Sequence, residues 1–413
     1  MKKMLWMAAL TSVALAGCVN EEVAVDNPAK QRKELMFGNP VMSKQSRVAG
    51  EILGVKYPDE ESFVVFSVVH NGPFHGWENS LNYTTVDDGD DTNNAGVSDD
   101  SPFFPEEGVV VTKSAVNNYW HIQGGTKYYW PKNGDDTDYR MTFAAYSPAS
   151  LGFPSDPNEK YQEGIKYDKS GLNITNYRMP DNPAKHFDLM YSTRTVDAET
   201  SPIAINFKHA LASVRFMFVK QAEDTGGAHS INIKKVSLIG NIHNKGDFKQ
   251  DITLVANSLG NPTWYNLETV MDDNDTPDDQ SDDTPKEYVL FDDEFTVPEG
   301  SSKEIDGIYS FMVIPQSVNE HMKVKIEYDV VMDADDDPIQ GLSREIPLTY
   351  FKKPSSTDYI SSWHRANRYV YTIQFGALRE IFFIPTISED WVTEGNASFF
   401  SIGNVSNPGG VTP

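Results

Sequence analysis

A single cysteine, Cys18, stands among 413 residues, so no disulfide can close within one chain and the fold must rest on packing. Cationic residues are also scarce. The 35 Lys and Arg face 60 Asp and Glu, a formal net charge of -25, which excludes the clustered basic face that a phosphate backbone needs. Such an acidic exterior is soluble and self-repelling. The nine histidines show no zinc spacing. His75, His121 and His209 stand apart among aromatics and amides and read as packed or surface residues. There is no Gly-x-Ser-x-Gly elbow and no phosphate-cradling Gly-rich loop, so neither an enzyme nor a cofactor is expected. A carboxylate pair of the glycosidase kind is not excluded by so acidic a chain.

What is present begins with a targeting segment. Lys2 and Lys3 precede an apolar stretch, Met4 to Ala14, too short to span a bilayer as a helix. Leu15-Ala16-Gly17-Cys18 then matches a bacterial lipobox. Residues 1–17 are expected to be a signal peptide cut between Gly17 and Cys18, with Cys18 acylated. Each buried methylene contributes about 0.8 kcal/mol, so several chains anchor firmly. A lipid-bearing Cys18 is no nucleophile. Beyond it, Arg32 and Arg47 flank one apolar run, "ELMFGNPV", from Glu34 to Val41.

From Ser62 onward the texture is β. "SFVVFSVV" is a compact apolar run, as in a buried strand, and "YRMTFAAYSP" and "KHFDLMYSTRTV" are similar. Alternation places Ile203, Ile205 and Phe207 on one face, then Val214, Phe216 and Phe218. "INIKKVSLIGNI" slips phase at Lys234-Lys235, which predicts a bulge. "MKVKIEYDVVM" sets Val324, Ile326, Tyr328 and Val330 against charged neighbours, and "RYVYTIQF" sets Tyr369, Tyr371, Ile373 and Phe375 on one side. Both are half-buried antiparallel patterns. "FKHALASV" and "SSWHRANRY" are candidates for single helical turns. Many strands without regular helices between them predict an all-β fold of sandwiches. A boundary is expected between Ala198 and Pro202, dividing a domain over 48–200 from one over 201–413.

Three acidic stretches lie between strands: "TVDDGDDTNNAGVSDD", "MDDNDTPDDQSDDTPKE" and "MDADDDP". None has the Asp-x-Asp-x-Asp-Gly spacing with its closing Glu, so solvated loops are the expectation over a calcium site. The aromatic stretches "NGPFHGWENS" and "NNYWHIQGGTKYYWPKNG" offer stacking faces for sugar rings. Trp120, Tyr128, Tyr129 and Trp130 read equally as strand residues around a Gln-Gly-Gly turn. A lipid-anchored, glycan-binding surface protein is the alternative function; a hydrolase has no nucleophile or metal constellation to support it.

The lipobox, the basic arm after it, "HFDLMYSTRTV", "INFKHALASVRFMF", "ANRYVYTIQF" and the late "IFFIPTISEDW", in that order, resemble the fimbrillins. These are lipoprotein-derived pilins of anaerobic gut and oral bacteria. The resemblance implies two transthyretin-like antiparallel β-sandwich domains in tandem and a structural role as a fimbrial (pilus) subunit in cell adhesion. The precursor would be an outer membrane lipoprotein. A trypsin-like maturation protease would then remove an N-terminal arm, residues 18–47, cutting after Arg47 and before Val48, with Arg32, Lys33 and Lys44 as rival sites. The groove so exposed would take a strand from another copy or a related subunit, so that the mature protein lies in a surface fimbrium. Donor candidates lie in "REIFFIPTI", through Phe382 and Ile384, and in "ASFFSIGNV", through Phe400 and Ile402. The first reads equally as the last core strand of its own domain, and Pro385 there is tolerable only at an edge or a break.

Overall fold

The computed structural model describes residues 34–42, 55–71, 103–116, 119–130, 139–168, 170–197, 202–222, 228–251, 254–255, 258–259, 261–272, 283–301, 303–305, 308–352, 358–376 and 381–388. Among these the regular structure is strand. Helical geometry is confined to three-residue 3-10 turns at Ala149–Leu151, Pro183–Lys185 and Leu348–Tyr350. The all-β expectation therefore holds. No helix among the described residues is long and apolar enough to cross a membrane.

Eight strands make the first sheet. Their order across it is Val55–Lys56, Val41–Met42, Asn206–His209, Met190–Asp197, Tyr139–Ser147, Phe63–Asn71, Val109–Lys113 and Trp120–Ile122. The run at Phe63 is continuous because both of its faces are covered. Phe63, Val65 and Val69 enter one core with Met141, Phe143 and Ala145, while Val64, Phe66 and Val68 enter another with Ala144 and Tyr146. Continuous apolarity is what a strand buried on both faces requires. The second of these cores is shared with a four-stranded sheet ordered Thr263–Glu268, Lys245–Gln250, Gly171–Arg178, Gly164–Asp168. Ring contacts tie the two sheets, Phe66 to Tyr167 at 6.1 Å and Tyr191 to Phe248 at 5.2 Å.

Two further sheets face each other. One runs Lys303–Glu304, Ala212–Lys220, Arg368–Phe375, Ile381–Ser388, with Phe311–Val313 also paired to Ala212–Lys220. The other runs Glu287–Thr296, Ser230–Ile239, Lys323–Val331, Ile339–Pro347. Tyr328 meets Phe375 at 5.2 Å and Tyr288 meets Phe311 at 4.9 Å across the gap. Lys323–Val331 alternates buried and half-buried residues along its whole length. The slip predicted at Lys234-Lys235 is a register shift between Ile233 and Lys235. Near residue 200 the chain is interwoven. Asn206–His209 belongs to the first sheet, and Lys245–Gln250 pairs with Gly171–Arg178.

Neither short stretch suggested as helical forms a helix. In "FKHALASV" the strand ends at His209, turns through Ala210 and Leu211, and restarts at Ala212. Tertiary bonds hold that turn: Ala210 N–H donates to Leu189, Ala366 N–H to Leu211, and Trp264 Nε1 to the Ala210 carbonyl at 2.8 Å. They outweigh the local preference of Ala and Leu. "SSWHRANRY" is a short strand, Ser362–Trp363, followed by a turn with Ala366 at φ 59°.

Candidate functional site

Residues 34–42 are an extended segment laid into the first sheet. Leu35 and Phe37 point into the core at 5% and 3% exposure, while Met36 between them is 51% exposed. That is the period-two alternation of a strand with one face buried. One side of the segment meets the chain around Trp120–Ile122. Leu35 N–H donates to the Tyr128 carbonyl at 2.8 Å, Glu34 bridges Tyr129, and Phe37 bridges Trp120. The opposite side meets the extended chain at Ile203 and Ile205 that leads into Asn206–His209. Gly38 N–H donates to Ile203 at 2.8 Å, Ile203 N–H to Met36 at 2.8 Å, and Val41 N–H to Ile205 at 3.0 Å. Val41–Met42 then runs parallel to Asn206 and Phe207. Phe37 thus bridges Trp120 in the last strand of the sheet and Ile203 just before Asn206–His209, and the segment closes the strands between them into a ring.

The floor beneath is aromatic. Phe37 meets Phe63 and Phe143 edge-on at 6.3 and 6.1 Å. Tyr57 stacks on Phe207 at 5.2 Å and meets Trp120 at 5.4 Å. Its hydroxyl shares a 2.7 Å hydrogen bond with Ser147 Oγ. Burial pushes the Tyr57 phenol far up, with the Ser147 bond opposing, so it stays a neutral, fixed part of the floor. At the rim Lys127 pairs with Glu34 at 2.9 Å, an exposed contact of little energetic weight. Take the segment away and a row of backbone donors and acceptors opens over a slot lined by Phe63, Phe143, Trp120 and Phe207.

Val55–Lys56 pairs antiparallel with Val41–Met42, Met42 standing opposite Val55. Arg47 and Val48 lie in the connection between those two paired ends, outside the described residues. Gly17, Cys18, Phe400 and Ile402 are outside them as well. Phe382 and Ile384 fall in the strand Ile381–Ser388, where they stand opposite Gln374 and Thr372. That strand is last in its sheet, so Pro385, opposite Tyr371, has the edge position it needs. The part of "REIFFIPTI" from Ile381 onward is therefore paired within its own chain.

The aromatic stretch near residue 120 is structural. Trp120, Tyr128 and Trp130 are buried in the core beneath the segment, and the Gln-Gly-Gly turn has Gly124 and Gly125 at φ 87° and 78°. "NGPFHGWENS" lies outside the described residues. His209 is buried and bonded through Nδ1 to Asp188 at 2.7 Å. Among the described residues no three His, Cys, Asp or Glu side chains gather as a metal site. Sequence reasoning marked the segment but not its partners. The Ile203, Ile205, Phe207 alternation identifies a strand without saying what lies beside it, and Tyr57 carried no signal.

A fimbrillin-like family model matches residues 81–391. No curated protein matches the chain. Among solved structures, a fimbrial protein from Bacteroides vulgatus is 14% identical with a TM-score of 0.45, and the match covers 88% of this chain and 100% of that one. A candidate cell adhesion protein from Bacteroides ovatus is 16% identical with a TM-score of 0.45, over 88% and 100%. Another from Bacteroides uniformis is 14% identical with a TM-score of 0.43, over 87% and 99%.

Proposed function

The chain belongs to the fimbrillin-like family, and on that premise we propose that it is a surface fimbrial subunit whose residues 34–42 occupy a strand position later filled by another subunit. The observation that carries this reading is the paired, inward-facing placement of Leu35 and Phe37 at the closure of the first sheet. In this reading the precursor is cut between Gly17 and Cys18, carries lipid on Cys18 and is held at the outer membrane. A trypsin-like protease then cuts between Arg47 and Val48. The paired sheets are two transthyretin-like sandwiches, residues 48–200 and 201–413, that share strands across their boundary. The protein has a structural role in adhesion rather than an enzymatic one.

The position of Arg47 explains why a cut would matter. Before cutting, the segment is tethered to its own groove, which gives it an effective concentration on the order of millimolar. After cutting it is a bound peptide, its contacts unchanged but the tether gone. A strand from another subunit then competes on equal terms and, once seated, adds one subunit to the next. Contacts of this head-to-tail kind do not close on themselves and produce filaments.

The test is electron microscopy and sedimentation of purified protein before and after limited trypsin treatment. Cut protein beginning at Val48 should form filaments, and Arg47→Ala, with Arg32, Lys33 and Lys44 also substituted, should stay monomeric. Filaments from the uncut variant at the wild-type rate would remove the protease step.

A further inference from the structure

The acidic stretches between strands are defined as much by what they omit as by their carboxylates. No Lys or Arg occurs from 57 to 112, from 250 to 285 or from 326 to 343, and these spans hold the three acidic stretches up to Lys286. The arm is the opposite: Lys30, Arg32, Lys33, Lys44 and Arg47 crowd into residues 30–47. Polar connections between strands are the places most readily nicked. Asp333 to Pro338, for example, is exposed throughout. A protease that reads a basic side chain finds no bond to cut there.

Elsewhere the sheets hold the basic residues. Lys234 and Lys235 in Ser230–Ile239, and Lys323 and Lys325 in Lys323–Val331, stand in strands paired on both sides. Each is tied to a carboxylate of another strand in that sheet. A protease draws residues on both sides of a bond into its cleft as extended chain, so a laddered bond is cut only from a sparsely populated opened state. Basic residues outside the strands precede anchored neighbours. Lys127 is followed by Tyr128 at 8% exposure, and Lys160 by Tyr161, whose carbonyl accepts from Arg178 N–H at 2.9 Å. Arg365 is followed by Ala366, whose N–H donates to Leu211 at 2.8 Å. Lys169 and Arg379 fall between directly paired ends, Asp168 opposite Gly171 and Phe375 opposite Ile381. The paired ends around Arg47 are much further apart in sequence, Met42 and Val55. Lys132, outside the described residues, is the rival site beyond the arm.

We propose that the basic residues of this chain are distributed so as to confine a Lys- and Arg-specific protease to the arm. The acidic stretches withhold the side chain that such an enzyme reads, and the sheets withhold the peptide bonds where basic residues do occur. This rests on the proposed maturation and specifies what keeps it to one region. It also gives the acidic stretches a role that needs no bound ion. Carboxylates keep these connections solvated and mutually repelling without offering a bond to the protease.

The test is digestion of the uncut full chain with trypsin and, in parallel, with a protease that cuts after Asp and Glu, the products read by intact mass. Trypsin should remove the arm and leave the remainder whole for at least about a hundredfold longer. The acid-directed protease should cut promptly within the acidic stretches. Asn93→Lys and Gln280→Lys, in separate stretches, should each open a new trypsin site cut within about tenfold of the arm rate. Trypsin cleavage of the wild type beyond Val48, at Lys132 or elsewhere, as fast as in the arm would overturn the proposal. So would resistance of either variant to trypsin at its new lysine, or of the acidic stretches to the acid-directed protease, because structure and not composition would then be the shield. Electron microscopy reads the fimbrial proposal separately. Trimmed, otherwise whole protein that stays monomeric would sink that reading and leave this one standing; filaments from protein whose core trypsin has cut would do the opposite.

Discussion

Truncating Phe37 to alanine tests the closure of the first sheet at its most buried point. The side chain is 3% exposed and meets Phe63 and Phe143 edge-on. Removing a buried aromatic costs about 3–5 kcal/mol, the spread reflecting how far the site collapses. Residues 34–42 are held by that ring, by Leu35 and by a handful of backbone bonds of about 1 kcal/mol each. The loss therefore falls on the docking of the segment more than on the whole fold, and opening of the segment should rise by two to four powers of ten. Amide hydrogen exchange of the uncut chain reads this directly. Gly38, Val41 and Ile203, whose N–H groups bond across the closure, should exchange far faster. Those of Val64 and Val65, paired on both sides, should not. Met36→Ala is the control, since an exposed position of this kind costs within about 0.5 kcal/mol. If Phe37→Ala leaves the three amides within threefold of wild type, or Met36→Ala is equally disruptive, the register assigned to the segment is wrong.

Other expectations follow from the same contacts. Gly38→Pro removes the N–H that donates to Ile203 and should loosen the segment without touching the C-terminal sheets, read by the same exchange experiment. Trp130→Ala should lower the stability of the fold by about 3–5 kcal/mol in urea titrations, since the indole is buried in the core beneath the segment; an unchanged midpoint together with lost sugar binding would favour a lectin instead. His186 accepts from Met312 N–H on Nδ1 and shares a 2.8 Å bond between Nε2 and the Pro180 carbonyl. Burial lowers its pKa from 6.5 to about 4, against an opposing bond to Pro180. The unfolded chain therefore binds the proton first, so this contribution is whole above pH 6.5 and is lost as the pH falls towards 4, about 3 kcal/mol in all. Subtracting the urea stability profile of His186→Gln should isolate that slope, and parallel profiles would refute it. Gly240→Ala should cost at least about 1–3 kcal/mol, because Gly240 sits at φ 121° with the His321 carbonyl oxygen where a Cβ would go.

The strands were legible because burial writes a period of two or an unbroken apolar run into them. Lys323–Val331 shows the first and Phe63–Asn71 the second. The bulge at Lys234-Lys235 was legible for the same reason, since a phase slip in the pattern is an extra residue in the ladder. Pairing was not. Ala212–Lys220 lies parallel to Arg368–Phe375, and residues 34–42 reach Ile203 and Trp120, partners far away in sequence whose choice depends on the whole sheet. The turn at Ala210-Leu211 was missed because its neighbours Leu189, Trp264 and Ala366 hold it, which no local window contains. The groove was half visible. Its occupant announced itself as an apolar run between basic sites, but its walls did not.

The connection at Ala210-Leu211 also fixes how a pull would travel through the molecule. Those two residues join the strand that flanks the groove, Asn206–His209, to Ala212–Lys220. Ala212–Lys220 is laddered over eight residue pairs to Arg368–Phe375, which is laddered over eight more to Ile381–Ser388. Tension applied at Ile381–Ser388 and taken up at Asn206–His209 crosses two long ladders and one short covalent link. Among the described residues that path runs through paired strands, and the turn in it is itself held by Leu189, Trp264 and Ala366, so stiffness along this line is built into the subunit.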